Sequence, residues 1–178
     1  MRRIVALAIV LGLSGVSLFA GSIWLDVPFV EQERKGCGAA AIAMVMSYWA
    51  ERGFPIEPEK RDPSVILRTL YSKEHDGILA SDLEGYFRNQ GFRTFAFRGS
   101  IEDLEHHLQK GRPLIVALQA NSESGPRHYV VAAGFSRAED VVVVNDSSQR
   151  KLMKINREKF EKAWSRNGFW TLLAVPQS

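Results

Sequence analysis

The stretch GCGAAAIAMVMSYWA, residues 36–50, decides the fold. It carries no charge before Glu51, and apolar side chains fall at every angle around a helical projection of it. A helix that is apolar on all faces is buried on all faces, so residues 37 to about 50 are expected to run through the centre of a domain. The same stretch contains the only cysteine of the chain, Cys37, at the N-terminus of that helix. There the free backbone N–H groups and the positive end of the helix dipole favour an anion, which lowers a thiol pKa. The glycines on either side leave room for a ligand backbone to approach the sulfur. The plain alternative is a small buried hydrophobe.

The opening segment bears on what a lone cysteine means. MRRIVALAIVLGLSGVSLFAGS, residues 1–22, has two arginines, an apolar run from Ile4 to Ala20 and then small residues, the three-part pattern of a secretory signal. Cleavage fits after Ala20 or after Ser22. The run is at the lower edge of bilayer-spanning length, so an uncleaved anchor is the alternative and the one route by which a membrane would enter. The expected division is a signal over residues 1–22 and one domain over 23–178. The whole chain has 23 Lys and Arg against 20 Asp and Glu, and without Arg2 and Arg3 the balance is 21 against 20. The basic character therefore belongs to the signal, and no nucleic-acid partner is implied. About 155 residues suffice for one sizeable core. In an oxidising compartment a lone cysteine is either paired between molecules or kept as a reactive thiol.

A reactive thiolate needs a base. Of the four histidines, His106 and His107 are adjacent on a helix of mixed polarity and read as surface residues, and His75 reads as a loop residue. His128 instead opens HYVVAAGF, an apolar core strand that follows a turn-rich segment. HYVVAAGF, SRAED and VVVVND form a hairpin in outline. Pairing Phe135 with Val141 sets Val130 opposite Asp146 and places His128 and Asp146 on one face as diagonal neighbours. Asn145 then points to the other face. A slip of one residue reverses that choice, so Asn145 is held as the reserve partner for the imidazole. Gln32, five residues before Cys37, is the candidate to donate to an oxyanion together with the Cys37 N–H; its alternative is a solvated loop residue.

Elsewhere, RDPSVILRTLYSK starts with an Asp cap and a first-turn proline, SDLEGYFRNQG suggests a Ser81–Glu84 capping box ending at Gly91, and SIEDLEHHLQKG ends at Gly111. Strands are expected at FRTFAF, PLIVALQ, HYVVAAGF, VVVVND, KLMKI and FWTLLAV, with a helix at REKFEKAWSRN before the last. Helices first and strands later argue for an α+β fold.

The segments VPFVEQERKGCGAAAIAMVM, HYVVAAG and VVVVNDSS together resemble the C39 family of papain-like cysteine peptidases, the bacteriocin-processing or double-glycine peptidases. The resemblance extends over nearly all of residues 23–178. It implies a papain-like fold, with an N-terminal helical lobe around a buried central helix packed on a C-terminal antiparallel sheet. It also implies Cys37 as nucleophile, His128 as general base and acid, Asp146 as the orienting carboxylate and Gln32 in the oxyanion hole. Its best-known members are cytoplasmic domains of transporters that cut leader peptides after Gly-Gly, whereas this chain opens with an export pattern and no transporter. Where members commonly carry proline after the aspartate, this chain has Ser147.

The expected activity is hydrolysis of a peptide or protein substrate by an exported enzyme, with no cofactor and no metal; the resemblance alone implies cleavage after small residues such as Gly-Gly. Acyl or amide transfer on the same residues and a non-catalytic peptide-binding module are the alternatives.

Overall fold

The computed structural model of the protein describes residues 21–119 and 127–177, so the expected signal lies outside it apart from Gly21 and Ser22. The elements are β1 (Ser22–Trp24), α1 (Cys37–Ala50), a 3₁₀ turn (Pro58–Arg61), α2 (Pro63–Leu70), α3 (Ala80–Asn89), β2 (Phe92–Arg98), α4 (Ile101–Gln109), β3 (Leu114–Gln119), β4 (Arg127–Ser136), β5 (Val141–Asp146), β6 (Arg150–Asn156), α5 (Arg157–Ser165) and β7 (Trp170–Pro176). Among the described residues no helix is long and apolar enough to cross a membrane.

Helix α1 is buried from Gly38 to Tyr48, as its uniform apolarity requires. It packs against α2 and α3 on one side and against β4 on the other. Its C-terminal end is anchored by Tyr48 Oη donating to the Gly111 carbonyl at 2.7 Å and Trp49 Nε1 donating to the Ala174 carbonyl at 3.1 Å. Both bonds reach other parts of the chain, so the position of the helix relative to the sheet is set at the end remote from Cys37.

The sheet is antiparallel throughout, in the order β2-β7-β3-β4-β5-β6, with β1 pairing with the far end of β4. Successive residues of a strand face opposite sides. Ile115, Ala117, Tyr129, Val131 and Ala133 join the core under α1. Leu114, Val116, Val130, Ala132, Val142 and Val144 join a second core with Leu104 and Leu108 of α4 and with Phe160 and Trp164 of α5. Burial on both faces is why the central strands are apolar runs without alternation. The architecture is thus the expected α+β plan of a helical N-terminal part on an antiparallel sheet, with α4 and α5 covering the opposite face.

Three local expectations are corrected. Phe135 pairs with Val142 rather than Val141, but a bulge between Ala132 and Gly134 takes up one residue, so that Val131 faces Asn145. The slip at the turn is thereby undone before the strands reach His128 and Asp146. The α3 capping box does not form: the helix starts at Ala80 behind Leu79, with no side-chain cap, and Glu84 pairs instead with Arg88 at 2.6 Å. Ile78, buried in the first core, brings the chain into the helix before Ser81 can cap it. The capping box appears at α4, where Ser100 and Asp103 exchange hydrogen bonds with each other's backbone N–H. His107 is also not purely a surface residue, because its ring lies against Phe97 with Nδ1 buried.

Candidate active site

Three chain segments converge at one end of the sheet. The first is the loop before α1, which makes a tight turn, with Gly36 N–H donating to the Glu33 carbonyl at 2.9 Å and Lys35 at φ 63°. Gly36 then stands at the N-cap of α1 with no side-chain cap, which leaves first-turn N–H groups beside Cys37 uncommitted to a capping side chain. Both flanking glycines are closely packed. A Cβ on Gly36 would lie 3.0 Å from the Glu33 carbonyl oxygen, and one on Gly38 would lie 3.2 Å from Ile78 Cβ. Their smallness thus serves close packing within the chain as well as access to the sulfur.

The second segment is the start of β4. His128 pairs across the sheet with Leu118, and its ring is half-buried. The third is the end of β5, where Asp146 Oδ1 lies 2.7 Å from His128 Nε2. Engagement of Nε2 by the carboxylate leaves Nδ1 as the ring nitrogen available to the thiol. The same Oδ1 accepts from Ser148 N–H at 3.0 Å and from Ser148 Oγ at 2.7 Å, while Oδ2 accepts from Gln149 Nε2 at 2.9 Å. The carboxylate is therefore held by the turn that follows it, in an Asx-type arrangement. Asn145, the reserve candidate, points away: its Nδ2 donates to the Val27 carbonyl at 3.0 Å and its Oδ1 accepts from Leu152 N–H at 2.9 Å.

The first segment also carries Gln32. Its backbone N–H donates to the Ser147 carbonyl at 3.0 Å, and its Oε1 accepts from Ser147 Oγ at 2.9 Å. Gln32, Cys37, His128 and Asp146 all line one open cleft of about 850 Å³. Its walls include Gly77, Ile78 and Leu79 on the helical side and Leu118, Met153 and Ala163 on the sheet side. Lys35 and Asp76 form an ion pair at its rim, and Tyr71 Oη donates to Asp76 at 2.9 Å, which joins the loop before Cys37 to the turn holding His75.

The electrostatics couple these groups. Burial of the Cys37 thiol opposes its ionisation, but a hydrogen bond from His128, the Tyr129 N–H, the His128 charge and the Gly38 N–H outweigh it, and its pKa lies below the ordinary value. Burial likewise disfavours His128 in its charged form, yet the hydrogen bonds to Asp146 and Cys37 and the charges of both raise its pKa from 6.5 to about 9. Asp146, also penalised by burial, is pulled from 3.8 to about 2, chiefly by the His128 hydrogen bond and charge and by Ser148. These directions describe a thiolate–imidazolium pair steadied by a carboxylate. Such a pair can attack an electrophilic carbonyl and return a proton to a leaving group.

The sequence expectations thus place four side chains that the fold brings to one cleft. Three others in contact with them, Ser147, Ser148 and Gln149, were not anticipated. Asp-Ser-Ser is a turn-forming run in which the Ser148 bonds could have been foreseen. The Ser147 bond to Gln32 spans 115 residues and has no local signal. Among the described residues no three His, Cys, Asp or Glu side chains cluster as a metal site would require.

Comparison with solved structures finds the same fold at low identity. A Bacillus anthracis protein described as a C39-like peptidase superposes with a TM-score of 0.69 at 19% identity, covering 89% of this chain and 99% of that one. The peptidase domain of Streptococcus ComA, a bifunctional ABC transporter of a quorum-sensing pathway, gives 0.66 at 18% identity, with 84% and 98% covered. A double glycine motif protease from an AMS/PCAT transporter, solved in complex with its leader peptide, gives 0.63 at 23% identity, with 86% and 94% covered. No curated protein matches the chain. The model of the Peptidase_C39 like family matches residues 24–171, which take in the loop before Cys37, the helix behind it, and the His128 and Asp146 strands. The chain belongs to the Peptidase_C39 like family.

Proposed function

We propose that this protein is a cysteine peptidase that cuts an extended peptide, with Cys37 as nucleophile, His128 as general base and acid, Asp146 as the orienting carboxylate and Gln32 as an oxyanion donor. The observation that carries it is the juxtaposition of His128, held at 2.7 Å by Asp146, with the thiol of Cys37 at an uncapped helix N-terminus, in a cleft that Gln32 also lines. The thiolate attacks the scissile carbonyl carbon, and the carbonyl oxygen takes the negative charge between the Gln32 amide and the Cys37 N–H. The C–N bond then breaks as His128 gives its proton to the departing amine, leaving a thioester on Cys37. A water, deprotonated by His128, hydrolyses the thioester, and the product acid leaves with the thiol ready for the next cycle.

Family membership and the leader-peptide complex of the AMS/PCAT protease support a peptide substrate with small residues, such as Gly-Gly, before the scissile bond. The export pattern of residues 1–22 supports a substrate met outside the cytoplasm. Because β1 begins at Ser22, cleavage of the signal after Ala20 would keep the whole strand, whereas cleavage after Ser22 would remove its first pairing, with Ser136.

The test is to incubate the protein with an extended-peptide library and identify new termini by mass spectrometry, with and without added amines. Cleavage that is abolished by Cys37→Ala and yields free carboxyl ends is the expected result. Amine-capped products instead of free acids would assign transfer, and cleavage surviving in folded Cys37→Ala protein overturns the nucleophile.

A further inference from the structure

We propose that Ser147 is a positioning residue that holds the Gln32 carboxamide with its NH₂ group turned to the oxyanion; this rests on the role given to Gln32 above. Ser147 is fully buried, and its carbonyl and its hydroxyl both engage Gln32. Its carbonyl accepts from the Gln32 backbone N–H at 3.0 Å, and its hydroxyl donates to Gln32 Oε1 at 2.9 Å. A carboxamide on a flexible side chain can present either its oxygen or its nitrogen to the cleft, and only the nitrogen can stabilise an oxyanion. Occupying Oε1 with a buried hydroxyl settles that choice before substrate arrives, so the donor needs no reorganisation when charge develops.

The placement follows from the alternation of β5 and its extension. Asn145 turns to the α1 side, where it ties the Val27 carbonyl, and Ser147, two residues on, ties Gln32 in the same entering segment. Asp146 between them turns to His128. Three consecutive residues at the end of β5 and the start of the turn after it thereby set the approach of the chain to α1, the imidazole and the oxyanion donor. A proline after the aspartate would supply the carbonyl but not the hydroxyl, so the side-chain half of this hold depends on serine at 147.

The experiment compares Ser147→Ala, Ser147→Thr, Gln32→Ala and the Ser147→Ala/Gln32→Ala pair in the folded protein, with two readouts. The first needs no substrate: side-chain ¹⁵N NMR of the Gln32 amide, assigned by its disappearance in Gln32→Ala. Its order should fall in Ser147→Ala and be retained in Ser147→Thr. The second is cleavage of a peptide taken from the library hits. Ser147→Ala should lower kcat by roughly 10-fold with KM nearly unchanged, and in the Gln32→Ala background it should add nothing. The pH profile of Cys37 alkylation should be the same in Ser147→Ala as in the parent. An unchanged Gln32 amide in Ser147→Ala, or losses that simply add in the double variant, overturns the hold. A shifted alkylation profile would mean that Ser147 acts through Asp146 and His128, and would also overturn it. A loosened amide with full turnover in both Ser147→Ala and Gln32→Ala would leave the hold in place and overturn the oxyanion role of Gln32, and the proposal with it. Should Ser147→Ala fail to fold, the amide order and kcat of Ser147→Thr, which keeps the hydroxyl, against those of Ser147→Gly, which lacks it, decide the same question.

Discussion

At Cys37 several influences meet: burial, which opposes charge, and His128, the Tyr129 N–H and the helix N-terminus, which favour it. The lowered pKa means that the opposing influence loses, and alkylation reads this directly. A free thiol titrates near pH 8.5 and carries almost no thiolate at pH 6. Alkylation of folded protein by iodoacetamide should remain fast at pH 6, and His128→Ala should slow it there far more than at pH 9, because loss of the cationic partner returns the pKa toward its free value. Slow alkylation at every pH until the protein unfolds would make Cys37 an inert core residue. At this scale the sequence is informative about which types of group are present and about their local chemistry. A lone cysteine before an apolar helix and a histidine opening a core strand are local facts. That Ser147 reaches Gln32 is not, since neither residue's neighbours specify a partner 115 positions away.

Among the elements, β5 and α1 set the geometry. Asn145 of β5 is fully buried and satisfies two backbone groups, the Val27 carbonyl and the Leu152 N–H. Asn145→Ala leaves both without a partner, at about 1–3 kcal/mol each. A fall in unfolding free energy of about 2–6 kcal/mol by urea denaturation is expected. A change of a few tenths would mean that water replaces the amide. In α1, Gly38→Ala gains about 1 kcal/mol of helix propensity, but its Cβ would press on Ile78 and Leu83 at 3.2 and 3.4 Å. Overpacking of this kind costs about 1–3 kcal/mol, so net destabilisation is expected. Turnover should also drop, because the first turn that yields is the one carrying Cys37. A stabilised variant of full activity would show that the 78–83 segment gives way freely. The bulge in β4 belongs to this scale as well. It shifts the pairing by one residue near the turn and returns it near the site, and the apolar run Val130–Val131–Ala132–Ala133 contains no signal for where the extra residue sits.

For the molecule as a whole, the paired charges make stability depend on pH in a specific way. The folded pKa of His128, about 9 against 6.5, is raised, so its contribution is complete below pH 6.5 and is lost as pH rises through about 9. The depressed Cys37 acts in the opposite sense: its contribution is present above its unfolded value and is lost as pH falls through the folded value. The two arms oppose each other between pH 6.5 and about 9, because the raised histidine favours folding at the low end and the depressed thiol favours it at the high end. Removing the thiol by Cys37→Ala leaves only the histidine arm, so stability should decline more steeply above pH 6.5 than in the parent. Urea midpoints measured across the interval test this, and a Cys37→Ala profile no steeper than the parent's would show that the thiol is not ionised ahead of its unfolded state. Asp146 adds a separate arm: its contribution is present above 3.8 and is lost as pH falls through about 2.

The sequence alone determined the identity and order of the layers. The uniform apolarity of residues 38–50 demands a central helix, the apolar runs from Leu114 to Val144 demand buried strands, and the cap at Asp62 starts a helix where its side chain can reach the backbone. These are consequences of short-range periodicity and hydrogen bonding, and each is contained in about a dozen residues. Only the tertiary structure decided the register at the site, the start of α3, the pairing of β1 and the hold of Ser147 on Gln32. Each of those depends on which distant surfaces press together. Ile78 entering the core overrides a local cap, and a one-residue bulge rather than strand composition puts Asp146, not Asn145, beside His128.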